Sequence, residues 1–273
     1  MVTVATHSGP FHADDVMAVA LLQRFHAPEL TVVRTRDLDR IAACTIAVDV
    51  GGVFDPSAWR FDHHQVQYTG PLSSAGMVVR HLQEIGRISP SLEAFLRASA
   101  VDYIDDVDVG RFAPQVGIPC FARIVEAMNA TATTEAAFDA AFGRAVVVAS
   151  AWLDGMVAEH DRIEAAAGVV RAAMARAAES GSNLIEFEQY INWKPAYFAA
   201  DGENHPTEYV LFPGTDGSWR VVAIPPTESA FGQKRPLPAA WAGLTDAALE
   251  AVTGVPESKF CHKNRFIAVF GSR

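Results

Sequence analysis

The sequence predicts an α/β protein, with a parallel-sheet domain first, a helical connector next and a smaller α/β domain last. Three observations predict it. Short β-branched runs at residues 2–6, 30–34 and 45–50 alternate with helical and polar stretches, the pattern of strands joined by crossovers. Residues 121–178 are dominated by alanine and periodic apolar positions. Near the C-terminus, the strand-like runs 208–212 and 219–224 flank Pro-Gly-Thr-Asp-Gly, a hairpin signal. These readings divide the chain into residues 1–125, 126–180 and 181–273.

In order along the chain, the run ending at Thr6 stops at His-Ser-Gly-Pro, residues that break regular structure. From Asp14 the chain turns helical, with acids at the positive end of the helix and alanine and leucine through its body. The third strand ends at Asp49-Val-Gly-Gly. Trp59-Arg-Phe-Asp-His-His suggests another short strand, and Ser73 is placed to cap a helix through Met77 to Leu82. A further helix is expected from Leu92 to Asp106, and glycine and proline mark residues 108–119 as a loop.

The chain has 273 residues, half of them hydrophobic and a fifth charged, enough for two modest cores. No stretch of about 18 uninterrupted apolar residues and no basic-then-apolar leader is evident, so a cytoplasmic protein without a membrane segment is expected. The three cysteines, Cys44, Cys120 and Cys261, have no CxxC spacing and read as packing residues. A net charge of -10 argues against binding along long nucleic acid, which needs many cationic contacts, but not against short ends or nucleotides. Bound cations would offset part of that charge locally.

Four of the nine histidines fall in two clusters within the first 64 residues, His7-x4-His12-x-Asp14 and Asp62-His63-His64, with Asp49 between them. In a parallel sheet, ligands gather outside the carboxyl ends of the strands, where His7 and Asp49 are expected. Imidazole and carboxylate together suit first-row divalent ions, and carboxylates can bridge two of them. The scattered His26, His81, His160 and His205 read as structural. Asp15 reads as a helix-dipole acid, Asp106 and Asp108 as solvated.

Thr6-His-Ser-Gly-Pro-Phe-His-Ala-Asp-Asp, Asp49-Val-Gly-Gly-Val-Phe-Asp-Pro, Phe61-Asp-His-His-Gln, Ser73-Ser-Ala-Gly, Val101-Asp-Tyr-Ile-Asp-Asp and the Gln233 to Leu244 segment occur in one order. Together they resemble the Myg (melanocyte proliferating gene) family, a branch of the DHH phosphoesterase superfamily. The resemblance implies a DHH-type catalytic domain holding two divalent ions, typically manganese. It implies metal ligands at His7, His12, Asp14, Asp49 and His63, with Asp105 or its competitor Asp102 supplying the last. His64 would face the substrate phosphate and Asp62 would orient a neighbouring imidazole.

The implied activity is hydrolysis of phosphodiesters in short RNA or DNA ends or nucleotides, in the leading version as a 3'-to-5' RNA exonuclease. A small-metabolite phosphomonoesterase or pyrophosphatase, and a non-catalytic metal or nucleotide sensor, are the alternatives. Ser74 and Gly76, at a helix start, are candidates for donating to substrate. So are Lys234 and Arg235, and the basic run of Lys259, His262, Lys263 and Arg265, for gripping phosphate. No oligomeric state follows from the sequence.

Overall fold

The computed structural model describes residues 1–273, which divide into two compact units, Met1–His160 and Asp161–Arg273. In the first unit the chain runs through β1 (Thr3–Thr6), α1 (Ala13–Phe25), β2 (Thr31–Arg34), α2 (Leu38–Ala43) and β3 (Ile46–Val48). It continues through β4 (Phe54–Asp55) and β5 (Arg60–Phe61). The sheet order is β2-β1-β3-β5-β4. Strands β2, β1, β3 and β5 are parallel, but β4 pairs antiparallel with β5, so the sheet is mixed where the sequence predicts a parallel one. The reason is the connection: a single turn at Pro56–Ala58 joins β4 to β5, whereas a parallel crossover needs about a dozen residues.

Side-chain alternation sorts the two faces of this sheet. Val4, Ile46 and Val48 pack with Met17 and Leu21 of α1, while Ala5 and Ala47 face Ile41 of α2. The first core is completed by α3 (Ser74–Glu84), α4 (Pro90–Leu96), α5 (Asp102–Asp108) and α6 (Phe121–Asn129). Between α4 and α5 the helix widens into a π turn at Arg97–Val101, which changes the angular phase of everything after it.

The 46-residue α7 (Glu135–Ser180) has no proline to break it, and it contributes to both cores. Ala141, Ala145, Ala149 and Leu153 join the first core, and Ala166, Val170, Ala173 and Ala177 the second. The region read as a separate connector is therefore shared between the units, whose division falls inside this helix. By length and composition α7 is also apolar enough to cross a membrane, although the sequence suggested no such segment. Its apolar content comes from alanine and valine spread among charges, and it supplies rows of core residues.

The second unit holds β6 (Leu184–Glu186), α8 (Trp193–Ala199), β7 (Tyr209–Pro213), β8 (Trp219–Ala223), α9 (Asp246–Thr253), β9 (Ser258–Cys261) and β10 (Ile267–Phe270). Its sheet has the order β6-β7-β8-β10-β9, with β6 and β7 parallel and the other pairs antiparallel. The β7–β8 hairpin lies where the turn residues predict it. Ile185, Val210 and Phe212 pack on one face of the sheet against α7 and α8, while Leu249, Cys261 and Phe270 cluster on the other.

Candidate metal centre

The ends of the parallel strands set the site. His7 follows β1, Asp49 follows β3, and His63 and His64 follow β5, all at the carboxyl ends where the loops that carry ligands leave the sheet. His12 and Asp14 lie at the start of α1, and Asp108 ends α5. Asp49 sits at φ 55, a left-handed conformation that aspartate tolerates better than most residues, and Gly51 and Gly52 continue the bend at φ 100 and 68. This turns the carboxylate back into the site.

Three groups of side chains bring their ligand atoms within 4.8 Å of one another: His7, His12 and Asp49; Asp49, His63 and His64; and His12, Asp14 and Asp108. Asp49 belongs to two groups and so does His12. The Asp49 Oδ2 atom lies 3.2 Å from His7 Nε2, and its Oδ1 3.2 Å from His63 Nε2 and 3.3 Å from His64 Nδ1. His63 Nε2 is also 3.1 Å from Asp108 Oδ2.

Asp14 is completely buried, and neither of its oxygens has a hydrogen-bond partner. Burial, with Asp49, Asp108 and Asp15 close by, pushes its carboxyl well above the usual range. A buried carboxylate without hydrogen bonds, with His63 Nε2 no nearer than 3.9 Å, is costly, and a cation is the partner that would relieve it. The residues present thus fit divalent metal, and their mix of imidazole and carboxylate suits an ion such as manganese.

Burial would lower the His63 pKa, but its contacts with Asp108 and Asp49 overcome that and push it up to about 10. Asp49 moves the opposite way: burial would raise it, yet His63, His7 and the charge of His64 hold it below the carboxylate range. In the metal-free protein His63 therefore carries a proton at neutral pH, which a metal must displace. Metal affinity should therefore rise with pH through neutrality towards the His63 pKa and fall on acidification. Manganese titrations by calorimetry at pH 7, in two buffers of different ionisation heat, should show proton release. Affinity that is constant between pH ~6 and ~9 would remove His63 and Asp14 from the ligand set.

Asp62, though outside these groups, positions one of them. It accepts from Gly52 N–H at 2.6 Å and His64 N–H at 3.0 Å, and its Oδ1 lies 2.9 Å from His64 Nδ1. His64 is thereby held with its ring largely exposed.

The structure does not bring Asp105 and Asp102 to the cluster. Asp105 is buried and its Oδ1 accepts from Ser73 N–H at 3.0 Å, Ser73 Oγ at 2.6 Å and Gly76 N–H at 3.1 Å, so it caps α3 from across the fold. Asp102 is exposed and pairs with Arg97. Asp108, which the sequence reads as solvated, instead lies with His12 and Asp14 and meets His63.

Ser74 and Gly76 are also turned inward. Ser74 Oγ donates to Phe61 O at 3.0 Å, and a Cβ at Gly76 would collide with the Asp105 carboxylate, so both serve the α3 start rather than a substrate.

Asp15, taken for a dipole acid, is fully buried: its Oδ1 accepts from His12 N–H at 3.0 Å, and its Oδ2 lies 3.4 Å from His7 Nε2. Arg36 belongs to no motif, yet its Nη2 is 3.2 Å from His7 Nδ1, a cation at the edge of the cluster. No sequence signal marks it, because its place depends on the end of β2 lying beside β1.

In the second unit, Lys234 is tied into the fold. Its three ammonium donors are taken by Tyr197 OH at 3.1 Å, Gly202 O at 2.6 Å and His205 O at 2.7 Å, which leaves none for phosphate. Arg235 is exposed and pairs with Glu208 at 3.3 Å. His262, Lys263 and Arg265 lie between β9 and β10, where His262 Nδ1 accepts from Asn264 N–H and Arg265 Nη1 reaches Leu237 O at 3.4 Å. Lys263 is exposed.

Comparison with known proteins adds the following. The MYG1 exonuclease family model, described as "Uncharacterised protein family (UPF0160)", matches residues 3–273. A MYG1 protein of Chlamydia pneumoniae is 36% identical over 273 residues, covering 99% of this chain and 92% of its own. The MYG1 exonuclease of Homo sapiens is 30% identical over 306 residues, covering 97% and 81%. Among solved structures, RecJ from Thermus thermophilus in complex with Mn2+ matches at 12% identity and a TM-score of 0.28, across 99% of this chain and 49% of RecJ.

Proposed function

Because the chain belongs to the MYG1 exonuclease family, we propose that it is a metal-dependent phosphoesterase of nuclease type, hydrolysing phosphodiester bonds at the ends of short oligonucleotides, RNA foremost. The observation that carries the reading is the buried Asp14 carboxylate, which has no hydrogen bond, among overlapping groups of imidazole and carboxylate ligands at strand ends. The sharing of Asp49 and His12 between groups favours two cations over one.

When bound, a pair of divalent ions supplies the charge that polarises a phosphoryl group and acidifies a water for in-line attack. Asp49 would be common to both ions, with His7 and His63 on its two oxygens. His64, whose Nδ1–H is held by Asp62, leaves Nε2 facing outward, where it donates to a phosphate or leaving oxygen when both ring nitrogens carry protons and accepts when the ring is neutral. Arg36 would add a guanidinium for the charge that develops on the phosphate, a larger contribution than nearby neutral donors make.

The test is a time course with end-labelled RNA and DNA of a few nucleotides, with and without manganese. A ladder that shortens from one end, disappears with a chelator and returns with manganese is expected. Metal binding without turnover of any oligonucleotide would leave a sensor instead.

A further inference from the structure

A cavity of about 520 Å³ opens in the first unit beside the metal-facing side chains and shares His12 and Asp108 with them. That volume lies within the ~300–1,000 Å³ typical of small-ligand sites. Its walls are mostly apolar, with Pro10, Phe11, Ile104, Val107, Pro114 and Ala122.

The polar groups that line it are already engaged. The Asn129 amide spans the Phe11 backbone, accepting from its N–H at 3.1 Å and donating to its carbonyl at 2.8 Å. Arg123, the one cation of the lining, is held by Glu126 at 2.7 Å. With Arg123 paired to the Glu126 carboxylate and the acidic Asp108 beside them, this is a poorer place for a second phosphate than one with an unpaired cation. Apolar walls beside a phosphate-holding centre suit a base and sugar instead, and the Arg123–Glu126 pair can still donate to and accept from hydroxyls or a base edge.

We infer that this cavity is the subsite for the terminal nucleoside of the strand being cut, and that it selects an end carrying a free hydroxyl over one carrying a phosphate. The inference rests on the phosphodiesterase reading above. Glu126 sets the selection, because its carboxylate both occupies the Arg123 guanidinium and repels an incoming phosphate.

The experiment compares manganese-supported kcat and KM for the dinucleoside monophosphate ApA with those for its 5'-phosphorylated and 3'-phosphorylated forms. Wild-type protein should prefer ApA over one of the two by about ten-fold in kcat/KM, the scale of one charge-assisted contact, and that form identifies the end in the cavity. Glu126→Gln, a change on an exposed side chain, removes the carboxylate from the Arg123 guanidinium and should raise the ratio for that phosphorylated form over ApA by about two- to five-fold, the scale of an exposed ion pair. Ala122→Trp fills the cavity and should raise KM for ApA more than it lowers kcat.

Equal use of all three substrates, or a ratio unmoved by Glu126→Gln, overturns the subsite while hydrolysis itself stands. No hydrolysis of any of the three by metal-loaded wild type overturns the phosphodiesterase reading and the subsite with it.

Discussion

Replacing Asp49 by asparagine should abolish turnover with the fold intact. The carboxylate lies between His7 on one oxygen and His63 and His64 on the other, and it joins two of the three ligand groups. An amide offers one neutral oxygen where a carboxylate offers two charged ones, so it holds a divalent cation far less well. Since removing even the partners of metal ligands costs ~10–100-fold, loss of a shared ligand should exceed ~100-fold in kcat/KM. Asparagine suits this position because it tolerates the left-handed φ of 55 that Asp49 adopts. The thermal midpoint of the metal-free variant should therefore stay close to that of wild type. Metal content by mass spectrometry should fall with activity. Undiminished turnover at full metal content would remove Asp49 from the centre.

A second large effect separates two acids three residues apart. Asp108→Asn should lose metal and, by the same reasoning, more than ~100-fold of activity, because Asp108 faces His63 and completes the group with His12 and Asp14. Asp105→Asn should keep both metal and activity, because an amide oxygen can still accept from Ser73 and Gly76.

Burial pushes the Asp105 pKa up to about 6 against the hydrogen bonds that hold it down. The native state therefore favours the neutral acid, and the stability this contributes is present below the unfolded value and lost as pH rises through ~6. A neutral asparagine escapes that loss, so its variant should match or exceed wild type in thermal midpoint above pH ~6. Asp105→Ala should instead cost about 1–3 kcal/mol in denaturant unfolding, since it orphans buried donors on Ser73 and Gly76. If Asp105→Asn loses metal and Asp108→Asn does not, the two roles are exchanged.

The sequence by itself determined the family, the α/β class, the β7–β8 hairpin and the imidazole and carboxylate residues that meet after β1, β3 and β5. These are legible because period-two strands, turn residues and local clusters such as Asp62-His63-His64 are written in neighbouring positions.

What only the tertiary structure decided was direction and partnership. Asp102, Asp105 and Asp108 recur every three residues, so spacing alone puts them on adjacent turns of one helix. Only packing against α3 and β5 shows that Asp105 caps a helix while Asp108 reaches His63. Nor could the chain's local pattern show that Lys234 spends its charge on carbonyls at Gly202 and His205, or that Arg36 comes to lie against His7. A charge's role depends on the partners that folding places around it, and those partners lie roughly thirty residues away in each case.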